Sequence, residues 1–302
     1  MKRSPTIAVF IVPGRRLESW LEALQIAAEQ AGLVYQEDWG AEEVSLKAEG
    51  CLTVVWTEKP CVADQILVVA PDPADAVRGC RLLYNLTGDE ALRHASRRFS
   101  LAAFEVGRGA RLIRPGPDVV DLPIIGPVLL PASEPERQEA RLAMFNHLPP
   151  AVADAGVWPP SLMWRAGPER LSLDGGGIDL TGRGRVLAFG PYVMLPPGQW
   201  RLTVLFDVEI GNAPVSIAFH WGIDGSAVCE EVEIAMSGRY KLHIDHTWIE
   251  AGATQLHLSL PRATFSGYLK LHRMHCELIA ARNTARNSYP VLDRLSSSQA
   301  KG

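Results

Sequence analysis

No stretch of the 302 residues approaches the roughly 18 consecutive apolar residues of a membrane helix, so membrane insertion is not expected. There is no long run of lysine or arginine, and the formal net charge is -4, which removes the electrostatic footprint of a nucleic-acid binder. Cysteine is scarce and unpaired in pattern. The five (Cys51, Cys61, Cys80, Cys229, Cys276) are irregularly spaced with no C-x-x-C, which argues against a disulfide framework or a zinc finger and for reduced thiols in the cytoplasm. G-x-G-x-x-G, G-x-S-x-G and H-E-x-x-H are all missing, so no nucleophile–base arrangement or metalloprotease helix can be placed. The short apolar run Ile7–Val12 is followed by Pro13-Gly14-Arg15-Arg16 and no small-residue cleavage site, which reads as a first strand rather than a secretory signal.

What is present is ordinary globular composition, 47% hydrophobic and 21% charged, in a length that suits two domains. The first half alternates. Continuous apolar runs at Thr6–Val12, Cys51–Trp56 and Gln65–Ala70 suit strands covered on both faces. Between and after them lie helical periodicities: Leu17 to Leu33, a helix capped near Asp72 carrying Ala76, Cys80 and Leu83, and Asp89–Val106. Glu37–Gly50 reads as a polar connector. The expectation is a small Rossmann-like α/β domain over residues 1–130. Proline and glycine then mark a linker, residues 131–163, with a short helix over Ser133–His147 that Ser133 and Glu136 would cap.

From residue 164 to 281 the period becomes two. In Trp200–Glu209, Leu202, Val204, Phe206 and Val208 share one side while Arg201, Thr203, Asp207 and Glu209 share the other. Similar segments run at Arg170–Leu173, Arg185–Phe189, Val215–Trp221, Val228–Met236, Tyr240–Asp245, Gln255–Leu260 and Gly267–Ile279, with glycine-bearing turns between them. Eight such strands predict a jelly-roll β-sandwich, with a bulge near Arg273 where the parity slips. Residues 282–302 read as a flexible tail.

The polar parity of these strands carries the candidate site. His220, Glu231, Glu233, His243, Asp245, His257 and His272 all face away from the apolar side of their strands, and on neighbouring strands they would form a surface able to donate to and accept from sugar hydroxyls. The bland counterpart is a solvated outer face. Trp158, Trp164, Tyr192, Trp248 and Phe265 fall at strand ends or in loops, where a ring could stack on a pyranose, and Trp248 is the one placed in the site. Trp200, Phe206, Phe219 and Trp221 read as core. His243-Ile244-Asp245-His246 and His272-Arg273-Met274-His275 do not make a metal site, because residues three apart on a strand point to opposite faces. In the first domain Arg15 and Arg16 follow a strand and precede a helix, where position suggests a nucleotide contact, and Asp72 and Asp75 follow another strand end, where helix capping competes with a ligand role.

The segment Gly190-Pro191-Tyr192-Val193-Met194-Leu195-Pro196-Pro197-Gly198-Gln199-Trp200-Arg201 resembles the G-P-Y-x-x-L-P-P-G-x-[YW]-[RK] signature of β-sandwich modules in bacterial glycan-synthesis proteins. Those modules are similar to carbohydrate-binding modules and are often attached to glycosyltransferases. Gly238-Arg239-Tyr240 and Gly267-Tyr268-Leu269 follow the pattern loosely, and the resemblance spans about residues 165–279. It implies a non-catalytic carbohydrate-binding or scaffolding protein of bacterial surface-polysaccharide biosynthesis, partnered by a glycan or a glycan-synthesis complex, with no cofactor and no metal. Whether it self-associates as a homo-oligomer stays open. The alternative is a glycosyltransferase-like enzyme using a nucleotide-sugar in the N-terminal domain.

Overall fold

The computed structural model describes residues 5–39, 50–56, 63–133, 138–167, 173, 176–223, 226–281 and 291–295. The chain divides into two compact units, residues 1–139 with 145–150, and residues 140–144 with 151–302.

The first unit is α/β. Strands β1 (Ile7–Ile11), β2 (Val34–Asp38), β3 (Cys51–Val55), β4 (Gln65–Val69) and β5 (Arg111–Ile113) form one sheet in the order β2-β3-β1-β4-β5, every pair parallel. β1 is buried along its whole length, as its uninterrupted apolar run requires. Helix α1 (Leu17–Gln30) buries Leu17, Trp20, Leu24, Ala27 and Ala28 at helical spacing. Helix α2 (Pro73–Tyr84) starts where Asp72 accepts a hydrogen bond from the Asp75 N–H and ends on the left-handed Asn85. Helix α3 (Gly88–Gly107) opens with a Thr87–Glu90 capping box. A hairpin, β6 (Val119–Leu122) and β7 (Gly126–Leu129), adds Leu122, Ile125 and Val128 to the core that α1 shares with β1. β2 and β5 had no strand signature: VYQED is polar and exposed, and β5 is three residues long.

The second unit is a two-sheet sandwich. Its strands are β8 (Ala155–Trp158), β9 (Trp164–Arg165), β10 (Ile178–Asp179), β11 (Arg185–Leu195), β12 (Gly198–Ile210), β13 (Val215–Ile223), β14 (Ser226–Ile234), β15 (Gly238–Trp248), β16 (Gly252–Leu260), β17 (Gly267–Ala280) and β18 (Val291–Leu295). One sheet runs β10-β17-β12-β15-β18, with β8 also on β17. The other runs β14-β13-β16-β11-β9. Rings cross between them, Phe206 to Phe219 at 5.3 Å and Trp221 to Trp248 at 4.7 Å between centroids. The bulge expected near Arg273 is at His272: Leu205 pairs with Arg273 and Phe206 with Leu271.

Several expectations are corrected. The stretch read as a flexible tail supplies β18, paired with Arg239–His243 of β15. The strand expected over Arg185–Phe189 does not stop before Gly190-Pro191. β11 continues through a cis Gly190–Pro191 bond to Leu195, and the register slip after Pro191 absorbs the irregularity. Within the described part of the helix expected over Ser133–His147 there is a 3₁₀ turn, Ala140–Phe145, with Leu142 non-helical. Glu136, the Arg170–Ser172 part of a predicted strand, Asp174-Gly175, the Asp224-Gly225 turn and Cys61 lie outside the described residues.

Candidate functional site

The eight residues expected on one sugar-binding surface are divided by the sandwich. His220, Glu231, Glu233 and His257 lie on the outer face of the β14-β13-β16-β11-β9 sheet. His243, Asp245 and His272 lie on the outer face of the opposite sheet. Trp248 belongs to neither. It is 1% exposed and packs on Trp221 and His246 in the core. Parity told correctly which way each strand faced, but membership of a sheet is set by pairing between distant segments.

On the first of these faces a single row of side chains crosses all five strands. Register places Cys229 beside His220, His220 beside His257, His257 beside Phe189 and Phe189 beside Trp164. Residues directly opposite in antiparallel strands project to the same side, so the row is continuous. At the usual spacing of about 4.8 Å between strands it is about 19 Å long. One flanking row is Ala227, Gly222, Gln255 and Pro191, and the other is Glu231, Ala218, Ser259 and Val186. Because Gly222, Ala218 and Ala227 are small, the surface dips there. The result is an open cleft of about 260 Å³ lined by Val186, His220, Gly222, Gln255, His257 and Ser259 among others.

The two ends of the row differ in chemistry. At the β9–β11 end Trp164, Phe189 and Tyr192 form an aromatic cluster, with centroids 5.5–6.5 Å apart and Phe189 6.3 Å from the His257 ring. Tyr192 takes a left-handed φ of 60°, and its ring lies 5.5 Å from that of Trp164. In the middle, His220 Nε2 lies 3.5 Å from Ser259 Oγ and 3.7 Å from Cys229 Sγ. At the β14 end, Glu231 accepts a hydrogen bond from Ser216 Oγ at 2.5 Å. Partial burial, and after it the neighbouring Glu230 and Glu231 charges, push the Cys229 thiol up. Of the aromatics that sequence reasoning singled out, Trp164 and Tyr192 are half-buried here. Trp158 is in the core and Phe265 is exposed in the β16–β17 connection. Phe189 was missed: its strand parity is polar-side, and only the outward direction of an aromatic ring could have marked it.

The opposite outer face is knit by charge. Arg201 pairs bidentately with Asp245 at 2.7 and 2.8 Å. Asp207 receives Arg239 at 2.7 and 3.1 Å and His272 at 2.7 Å, and His243 is bonded to Thr203. These bonds occupy the polar atoms a ligand would use. The Arg239 bonds, and after them His272, hold the Asp207 carboxyl below its usual range. The folded state therefore favours the charged form, and the stability it adds is present above the unfolded carboxyl pKa of about 4 and lost as pH falls below that. Asp207→Asn should flatten the loss of stability between about pH 4 and 2, read by urea unfolding at pH 6 and pH 3. An unchanged acid limb would mean that other carboxyls carry it.

In the first unit, ligands of open α/β sheets bind outside the carboxyl ends of the strands. Here, among the described residues, an open pocket of about 260 Å³ lined by Ala70, Asp72, Arg114 and Asn146 lies beyond β4, and three arginines near the strand ends bond to the chain itself. Arg15 donates from its backbone N–H and from Nε to Asp75 Oδ1, at 3.2 and 3.0 Å. Buried Arg98 donates to the carbonyls of Ile11, Val55 and Trp56 and lies 4.1 Å from the Phe10 ring centroid. Arg114 donates to the Ala70, Pro71 and Asn146 carbonyls, and burial lowers its pKa. Arg16 is exposed. Arg15 is thus committed to an internal ion pair, not presented to a phosphate.

Among the described residues no group of three or more His, Cys, Asp or Glu is placed to hold a metal ion, and no helix is long and apolar enough to cross a membrane.

No family model and no curated protein matches the chain. Among solved structures, the chain is similar to carbohydrate-binding modules. The CBM22-1 xylan-binding domain of Xyn10C from Paenibacillus barcinonensis matches at 15% identity over 35% of this chain and 73% of its own, with a TM-score of 0.26. TmCBM61, solved with beta-1,4-galactotriose, matches at 15% identity over 47% of this chain and 99% of its own, with a TM-score of 0.28. The glycosylation-associated protein (Gap123) complex from Streptococcus agalactiae matches at 13% identity over 83% of this chain and 50% of that one, with a TM-score of 0.27.

Proposed function

We propose that the second unit binds a glycan in the cleft of the β14-β13-β16-β11-β9 sheet, and that the chain serves, without catalysing a reaction, as a binding or scaffolding protein in bacterial surface-polysaccharide biosynthesis, in the cytoplasm. The observation that carries the glycan reading is the cross-strand row from Cys229 to Trp164. It sets an aromatic cluster beside imidazole, hydroxyl and amide groups on one open face. A sugar ring offers an apolar C–H face and a polar rim, and it needs both kinds of partner side by side. The sequence signature around Gly190–Arg201 supports the biosynthetic setting, and it builds the strand that holds Phe189 and Tyr192. The first unit is proposed as a Rossmann-like unit kept for docking to a glycan-synthesis partner. The pairing of Arg15 with Asp75 weighs against a nucleotide-sugar contact through that side chain.

Titration of the full chain with neutral oligosaccharides, followed by calorimetry, tests this. Binding with one site per chain is expected. His257→Ala should weaken it about three- to tenfold, the loss of about one hydrogen bond. An unaltered affinity in that variant would place the glycan elsewhere, and heat-silent titrations with every neutral oligosaccharide would remove the reading.

A further inference from the structure

Buried polar groups nearly always find a hydrogen-bond partner, and one that does not marks a place where something else binds. Between the two sheets of the sandwich three such groups stand together. Trp221, Trp248 and Thr254 are at most 1% exposed. Among the described residues, neither indole N–H nor the Thr254 hydroxyl has a partner. Strand register brings them to one spot. Trp221 of β13 pairs with Leu256 of β16. Thr254 lies two residues from Leu256 and projects to the same inner side of β16. Two residues further along that side is Gly252, where an added Cβ would lie 3.4 Å from Trp248 Nε1. Thr254 thus sits between the point that one indole flanks and the point that the other reaches. The two indoles pack 4.7 Å apart between centroids. A fourth group closes the cluster. Half-buried His246 shares the inner side of β15 with Trp248, its ring 4.5 Å from that of Trp248 and 6.2 Å from that of Trp221.

The donors decide what fits. An indole N–H donates and never accepts, so the guest must accept twice. Of the four side chains only His246 can carry positive charge, and burial lowers its pKa and keeps the imidazole neutral. An anion would therefore be buried without a counter-charge, which costs far more than burying a neutral guest. Water meets the requirement. It accepts from both indoles and donates to Thr254 Oγ1 and to the unprotonated nitrogen of His246, within the number of bonds that hold buried waters.

We propose that one internal water binds here and bridges the two sheets beneath the floor of the cleft. Trp248 and His246 hold it from β15, and Trp221 and Thr254 hold it from β13 and β16 of the facing sheet. Trp221 lies between His220 and Gly222, which line the cleft on the other side of the same strand. The water ties the strands that carry the cross-strand row to the opposite layer. This bridge depends on the buried groups alone and not on a glycan in the cleft.

A crystal structure of the full chain, with a second crystal grown in bromide, tests it. One water peak is expected within about 2.7–3.2 Å of both indole nitrogens and of Thr254 Oγ1, with no anomalous bromide signal at that position. Thr254→Val keeps the shape of the side chain and removes the hydroxyl. It should lower the occupancy of the peak and bring the melting temperature down by about 3 °C, and Thr254→Ser should restore the water. Absence of density within reach of the two indole nitrogens would overturn the proposal, as would two waters that each serve one indole. An anomalous peak would overturn it in favour of an anion. A water of full occupancy in Thr254→Val, with the melting temperature unshifted, would remove Thr254 from the site and the bridge with it.

Discussion

Gly79→Ala should destabilise the first unit by about 3 kcal/mol, at the upper end of what forced overpacking costs. Substitution of glycine by alanine inside a helix ordinarily has the opposite sign, because alanine is the better helix former by about 1 kcal/mol and narrows the unfolded ensemble. The reversal comes from the close approach of α2 to the loop after β1. A Cβ on Gly79 would lie 2.6 Å from the Gly14 Cα, the Gly14 nitrogen and the Pro13 carbonyl carbon, all of them backbone. That loop cannot retreat, since the Arg15 N–H and Nε hold it to Asp75 of the same helix. Gly14 is confined from the other side, with a Cβ meeting the Trp20 ring at 2.4 Å and Asp75 Oδ2 at 2.5 Å. Gly107→Ala is the control: its Cβ would have nothing within 4 Å, and it should be neutral or slightly stabilising. Denaturant unfolding followed by circular dichroism, with hydrogen exchange resolved over α2, separates the outcomes. A stabilised Gly79→Ala would mean that the strand-to-helix loop is not held as described.

Trp164→Ala should weaken glycan binding about thirtyfold, or about 2 kcal/mol, the loss expected when an aromatic anchor of the site is truncated. Trp164 ends the cross-strand row and contacts both Phe189 and Tyr192, so its removal also loosens the two rings that remain. Trp164→Phe should recover most of the affinity, because a phenyl ring keeps an apolar face of similar orientation. Trp248→Ala is a poor probe of binding. The side chain is buried beneath Trp221, and its truncation should cost about 3–5 kcal/mol of stability whatever the ligand does. Calorimetric titration paired with thermal unfolding of each variant distinguishes the two tryptophans. Trp164→Ala should keep its melting temperature within a few degrees, and an affinity loss that follows a loss of stability would assign Trp164 a packing role.

Much of the architecture is written locally. The buried runs at β1, β3 and β4, the Asp72 cap and the two-residue alternation of β12 to β17 each depend on residues a few positions apart, and each is found in the structure where the sequence puts it. Alternation also determined which side of each strand His220, Glu231, Glu233, His243, Asp245, His257 and His272 would face, because side chains on a strand alternate without regard to partners. Tertiary structure alone decided which of those sides share a sheet. β13 pairs with β16, and β12 pairs with β15 and β17, contacts between segments tens of residues apart, and so His220 and His257 meet while His243 and His272 face away on the other layer. The same holds for Trp248, a residue at a strand end whose core position follows from the sheet packed against it, and for the polar segment Val34–Asp38, made a strand by the edge of β3. Local pattern sets direction. Only long-range pairing, with the burial it brings, sets neighbourhood, and a binding site is a neighbourhood.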